Sequence, residues 1–485
     1  MLPATRHAIV RFINSAETMG RRAYYSPTLA RFGKIARRFA MRIWIKDPIA
    51  ILAEDAGCGV VVDDGRIVEL VARGAGPAAR ADYVFDASRH VVIPGLINTH
   101  HHMFQTLTRA HPAALNKELF PWLNVLFPIW AKHLNPENFR LATRLALTEL
   151  LISGCTTVSD HQYFYTPGLE GAMDIQAEEA AALGLRITLT RGSLNLTIEE
   201  GGNAVPGSVQ HADEILADSE RVIARWHDRR EGSMTQVALA PCAPFNATKR
   251  LMTETALLAE RHDCQMHTHL GETRDEVAYC QEKFSCRPVD YLEEVGWMSD
   301  RVWVAHGIHF NDEEICRLGR AGVGVCHCPT SNMMLSSGQC RTKDLEAAGS
   351  PIGLGVDGSA SNDSSNLIEG VRHAVMINRL TYDAASVTHL DAFRWATEGS
   401  ARCLGRDDIG AIAPGKQADM AFYKLDELRF SGAGDPLAAL VLCGAHTADR
   451  VMIKGEWRVV DGAPLGVDLA RLRAQHGKAA ACFVE

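Results

Sequence analysis

The stretch Pro94-Gly95-Leu96-Ile97-Asn98-Thr99-His100-His101-His102 governs how the rest of the chain is read. The β-branched run Val91-Val92-Ile93 leads into it, and Pro-Gly after such a run marks the end of a buried strand. Side chains alternate along extended backbone, so His100 and His102 face one way and His101 the other. Two imidazoles on one side of a strand end are a ready pair of metal ligands. A His-rich loop that binds nothing has the same spelling, and the triplet alone does not choose.

Downstream the texture is strand and helix in alternation. Asn135-Pro136 is an N-cap followed by a first-turn proline, and Leu141, Leu145, Ala146 and Ile152 supply the apolar face of a helix. Strands are predicted at Gly154–His161, Arg186–Arg191, Gln236–Pro241, Gln265–His269, Val302–His306, Gly324–His327 and Ile352–Asp357. Helical patterns at Met173–Leu183, Asp213–Trp226 and Arg250–Arg261 separate the early ones. With the run at 91–93 counted as the first, these make eight strands. Repeated strand-helix units imply parallel pairing, and eight of them imply an α/β fold closed as a (β/α)8 barrel. An open dinucleotide-binding sheet is the rival. The one GxGxxG, Gly353–Gly358, lies inside a strand rather than after one, so it lends that rival little.

Both ends of the barrel segment read as β structure. Ile43-Trp44-Ile45, Gly59–Val62 and Ile67–Val71 precede it, with Asp63-Asp64-Gly65 as a hairpin turn. Asp419–Tyr423, Arg450–Ile453 and Trp457–Val460 follow it. Residues 41–93 and 408–485 are therefore expected to meet in one small β-sandwich beside a catalytic barrel over 94–407. Residues 1–40 carry eight Lys/Arg against the single acid Glu17. That composition suits a transit peptide, a basic arm or, most simply, translation from an upstream start, and poor order is expected there.

Composition narrows the function. Hydrophobic residues at 47% and charged residues at 22% are ordinary for a globular protein. A net charge of −8 argues against nucleic acid as the partner. No run approaches a membrane span, and the odd count of 13 cysteines points to a reducing cytoplasm rather than a disulfide framework. A small-molecule substrate and a homo-oligomer are expected.

In such a barrel the chemistry sits at the C-terminal strand ends. Those ends carry His100 and His102, His269, His306 and Asp357, with Glu272 three residues beyond His269. Imidazoles and a carboxylate suit zinc, and also iron or manganese. Groups left over from coordination are free for proton transfer.

Pro94–His102, His269-Leu270-Gly271-Glu272, Ala305-His306 and Val356-Asp357-Gly358 resemble the amidohydrolase superfamily, and within it the single-metal aminohydrolases of purines, pterins and triazines. The turn Gly410–Asp419 shares the likeness. The resemblance implies one divalent ion, usually Zn2+ with Fe2+ as an alternative, held by His100, His102, His269 and Asp357. It makes Glu272, His306 and Asp357 the catalytic proton carriers. Asn98–Arg109, Leu119–Leu123, His327–Asn332 and Gly355–Asp363 are similar to the deaminases of oxidised purines and oxo-pterins. The implied reaction is 8-oxoguanine plus water to urate plus ammonia, with isoxanthopterin or a triazine as alternative substrates. Gln105 has the group to pair with an amide edge, Trp122 could stack on the ring, and Arg191 ends a strand that opens on the pocket; wall packing is an equal reading for each.

His267 shares a strand face with His269 and is read as a barrel-interior residue supporting the ligands. Cys326-His327-Cys328 lacks the second ligand pair of a structural zinc site and is read as packing. No strand-end lysine offers a bridge between two metals.

Overall fold

Short β-branched runs make short strands, and the computed structural model, which describes residues 41–484, arranges eighteen of them in three sheets. The basic segment expected over residues 1–40 lies outside the described residues. The N-terminal strands are β1 (Ile43–Lys46), β2 (Ala50–Ile51), β3 (Gly59–Asp63), β4 (Arg66–Leu70), β5 (Tyr83–Asp86) and β6 (His90–Pro94). The next eight are β7 (Leu96–Asn98), β8 (Cys155–Gln162), β9 (Arg186–Ser193), β10 (Thr235–Pro241), β11 (Gln265–Leu270), β12 (Val302–His306), β13 (Gly324–His327) and β14 (Ile352–Leu354). The last are β15 (Met420–Lys424), β16 (Arg450–Ile453), β17 (Glu456–Val460) and β18 (Ala463–Pro464).

Strands β7 to β14 pair in parallel in chain order and close where Leu354 of β14 meets Asn98 of β7. The chain is therefore a (β/α)8 barrel. Strands from both ends build the other two sheets, in the orders β4-β3-β1-β5 and β18-β17-β16-β15-β6-β2. The expected helix opens at Asn135, whose side chain accepts the amides of Glu137 at 3.0 Å and Asn138 at 3.1 Å. Several helices were not anticipated, among them the next two. Leu119–His133 lies between β7 and that helix, and Leu469–Ala481 packs back on it and on the turn Met103–Thr108.

The central strands of the six-stranded sheet, β6, β15 and β16, are buried on both faces. Val91 and Ile93 of β6, Ala421 and Tyr423 of β15, and Val451 and Ile453 of β16 join the barrel's core. Val92, Met420, Phe422 and Met452 between them pack on Ile43, Val60 and Phe85 of the four-stranded sheet. Period-two alternation thus divides one sheet between two cores, which is why β6 reads as an uninterrupted apolar run.

The same fact corrects the expected first barrel strand. The run 91–93 is not in the barrel; β6 pairs antiparallel with β15. The barrel begins at Leu96, with Gly95 alone between β6 and β7. Gly95 N donates to the Asp419 carbonyl just before β15 of the outer sheet, and Leu96 N to the Gly154 carbonyl just before β8 of the barrel. The chain changes sheets across Gly95, where a β-carbon would lie 2.1 Å from Thr156 Oγ1 and 2.2 Å from its Cγ2. Gly95→Ala is expected to cost about 1–3 kcal/mol in chemical denaturation. Thr156→Ala in the same chain should recover part of that loss, which a double-mutant cycle measures.

Candidate active site

The C-terminal ends of β7, β11, β12 and β14 bring six of the expected side chains together. Asp357 N donates to the His100 carbonyl at 3.0 Å, tying the loop after β14 to the loop after β7. His306, with φ of 74°, and Asp357, with φ of 65°, adopt left-handed backbone that non-glycine residues rarely take. Such strain persists where surrounding structure enforces it and clusters at working sites.

Each converging imidazole has its tautomer set from behind. His102 Nδ1–H donates to the His161 carbonyl at 2.9 Å and His269 Nδ1–H to the Cys242 carbonyl at 2.7 Å. A carbonyl only accepts, so Nδ1 carries the proton and Nε2 a lone pair. His100 Nδ1 instead meets His267 Nε2 at 2.8 Å. His267 Nδ1–H is committed to the Trp303 carbonyl at 2.8 Å, so His267 Nε2 accepts from His100. Among the described residues, the lone pair of His100 Nε2 is buried with no hydrogen-bond partner.

The three Nε2 atoms face one point. His102 Nε2 lies 3.2 Å from His269 Nε2, and Asp357 Oδ1 lies 3.3 Å from His100 Nε2 and 3.2 Å from His102 Nε2. Burial pushes the imidazoles of His100 and His269 down, His269 to about 3, so both are neutral. Neutral imidazoles and a carboxylate aimed at one another without a proton between them are the donor set of a divalent cation. His161 belongs to the same group of ring nitrogens; its Nε2–H is on the Ala240 carbonyl at 2.9 Å and its ring stacks on His269. His101 points away, with Nε2 3.0 Å from Ser365 Oγ, as the alternation requires.

Glu272 Oε2 lies 3.6 Å from His306 Nε2, and His306 Nδ1–H donates to Asn332 Oδ1 at 3.0 Å. Burial, and then the charge of Asp357, push the Glu272 carboxyl up to about 8. Glu276 accepts the amides of Gly271 and Glu272 at 2.9 Å each, and burial pushes its own carboxyl up to about 7. Sequence reasoning passed over Glu276, although its place one turn beyond Glu272 in a helix start was visible.

His102, His269, Glu272, His306 and Asp357 line a pocket whose empty space, open solvent at its mouth included, is about 420 Å3. Gln105 and Trp122 line it as expected, with Phe127, Tyr163 and Phe245 as walls that the sequence did not single out. Gln105 Oε1 accepts the Ala360 amide at 3.4 Å, and Trp122 Nε1–H donates to the Ala360 carbonyl at 3.0 Å. Arg191 is not brought there. Its guanidinium pairs with Asp218 at 2.9 Å and lies 4.2 Å from the Tyr165 ring centroid, on the side of β9 that meets the helix layer. Cys326 and Cys328 are buried with sulfurs 3.7 Å apart, while His327 Nε2 meets Asn378 Nδ2 at 3.3 Å.

The sequence pattern of the amidohydrolase family matches residues 91–458. The chain belongs to the amidohydrolase family. Over 446 residues it is 58% identical to an 8-oxoguanine deaminase from Pseudomonas aeruginosa, covering 91% of this chain and 99% of that protein. An isoxanthopterin deaminase from an unknown prokaryotic organism is 36% identical over 433 residues, 84% of this chain and 89% of the relative. Among solved structures, an atrazine chlorohydrolase from Arthrobacter aurescens TC1 complexed with zinc superposes with a TM-score of 0.84 at 28% identity, covering 91% of this chain and all of that one. As in a member of this family, the buried His/Asp group here is suited to a metal ion.

Arg191→Met tests the placement of that residue. Loss of its charged hydrogen bond should lower stability by about 1–3 kcal/mol. The KM for the amidohydrolase substrate should stay at the parent value, as steady-state kinetics beside a thermal melt will read.

Proposed function

We propose that the chain is a zinc-dependent aminohydrolase converting 8-oxoguanine and water to urate and ammonia. The observation that carries this reading is the 58% identity to an 8-oxoguanine deaminase along 99% of its length, against 36% to an isoxanthopterin deaminase. The cavity suits a flat heterocycle, with Trp122, Phe127 and Phe245 offering ring faces and Gln105 an amide edge.

His100, His102, His269 and Asp357 would hold one divalent ion. Zinc in the atrazine chlorohydrolase structure supports that metal. A catalytic ion of this kind acts as a Lewis acid and lowers the pKa of water from 15.7 to about 7. Glu272, protonated near neutral pH, donates to the ring nitrogen beside the amino-bearing carbon. His306 keeps Nδ1–H on Asn332, so Nε2 is directed to take a proton from water. Asp357 shares that water proton with His306 and passes it to the departing amine, which leaves as ammonia. Phe127 and Tyr163 help exclude bulk water from the proton path. Glu276 keeps the Glu272 backbone in place through two amides.

Steady-state ammonia release from 8-oxoguanine, isoxanthopterin and guanine tests the substrate. Urate should form from 8-oxoguanine with the highest kcat/KM; a higher value for isoxanthopterin would reassign the ring.

Glu272→Gln should lower kcat by about 100-fold to 10,000-fold, the usual worth of a positioned proton donor. Metal content per chain should be unchanged by elemental analysis. Because the Glu272 pKa is raised, its proton is present below about pH 8 and lost above it, so kcat/KM of the parent should fall on that alkaline side.

A further inference from the structure

Three imidazoles converge on the candidate metal point, and one of them is held differently. His102 and His269 rest their Nδ1–H on backbone carbonyls. His100 rests its own on a second side chain, His267. His267 is fully buried, stacks on Trp303 with ring centroids 4.4 Å apart and planes 15° apart, and gives its Nδ1–H to the Trp303 carbonyl. Trp303 in turn donates its indole Nε1–H to the Thr99 carbonyl at 3.1 Å. His267 and Trp303 therefore grip the His100 segment twice, once at the peptide before it and once at its ring.

A backbone carbonyl accepts whatever side chain lies in front of it. A side-chain acceptor can be removed by substitution, and its loss has a defined consequence. Without His267 Nε2, His100 Nδ1–H becomes a buried donor with no partner, which is costly. The cheapest relief moves the proton to Nε2, where Asp357 Oδ1 waits at 3.3 Å. That tautomer has no lone pair facing the metal point.

We propose that His267 is a positioning residue for metal capture, its Nε2 acting as the acceptor that keeps the His100 lone pair turned toward the ion. The proposal rests on the reading of the site as a divalent-metal centre. It assigns His267 no contact with substrate or ion. Supporting groups behind metal ligands commonly change metal affinity by about 10–100-fold.

The test compares His267→Phe, which keeps a flat ring against Trp303 and removes the acceptor, with His267→Gln, which keeps an acceptor near the Nε2 position. Zinc itself is the probe, its dissociation constant measured by chelator competition on the full chain, with a thermal melt of each metal-free protein as the folding control. His267→Phe should weaken zinc binding about 10–100-fold, and His267→Gln should stay close to the parent. Activity of the Phe variant should recover toward the parent kcat at saturating zinc, so the loss resides in the zinc midpoint. Should the Phe variant not fold, His267→Met takes its place as the acceptor-free chain. A folded acceptor-free variant that holds zinc as tightly as the parent overturns the proposal, as does a folded Gln variant that loses zinc to the same extent. A parent chain that binds no divalent ion overturns the metal reading and this proposal together.

Discussion

Acceptors crowded against acceptors are the constraint on which the rest of the structure depends. His102 Nε2 lies within about one hydrogen-bond length of His269 Nε2, Asp357 Oδ1 is as near to His100 Nε2 and His102 Nε2, and the Nδ1–H groups of His102 and His269 are committed to carbonyls on the far sides of the rings. In water each lone pair would take a solvent hydrogen. Burial removes that solvent, and the Nδ1–H bonds on the far sides of the rings keep protons away from the centre. The arrangement is unfavourable unless positive charge enters it, and the barrel's strand pairing holds it in place. The left-handed backbone at His306 and Asp357 belongs to the same enforced geometry.

That enforcement begins outside the barrel. The six-stranded sheet lies between two cores, with alternate residues of β6, β15 and β16 committed to each. Slipping β6 by one residue would exchange the two sets. Gly95, pressed against Thr156, hands this register to β7, and His100 follows five residues later. The small β sheets therefore help set the depth at which the first two imidazoles stand in the barrel mouth.

Proton carriers are arranged on a different principle. Glu272 is buried beside another carboxylate, and both influences favour keeping its proton. Its loop is fixed through the main chain by Glu276, a second buried acid. His306 is oriented through Asn332, in the short helix after β13. His100 and His269 are made neutral lone-pair donors by burial, whereas the Glu272 carboxyl at the cavity wall is made a proton donor by the same burial. One physical influence yields opposite chemistry because a carboxyl and an imidazole are charged in opposite protonation states.

The sequence by itself determined the eight-fold strand-helix order, the β texture of both ends, and the six residues of the central constellation, since strand ends and ligand types are local properties. It also placed His267 behind the ligands through the period of two along β11. It misassigned the run 91–93, because a strand buried on both faces reads the same in a barrel as in a sandwich. Arg191 was misplaced toward the cavity, because which side of a strand faces the helices depends on the register across the closed sheet. Phe127, Tyr163, Phe245 and Glu276 escaped notice for a related reason: nothing in their own neighbourhood marks them. Only the tertiary structure decided which nitrogen of each histidine carries the proton, because that depends on carbonyls and rings contributed by strands distant in sequence.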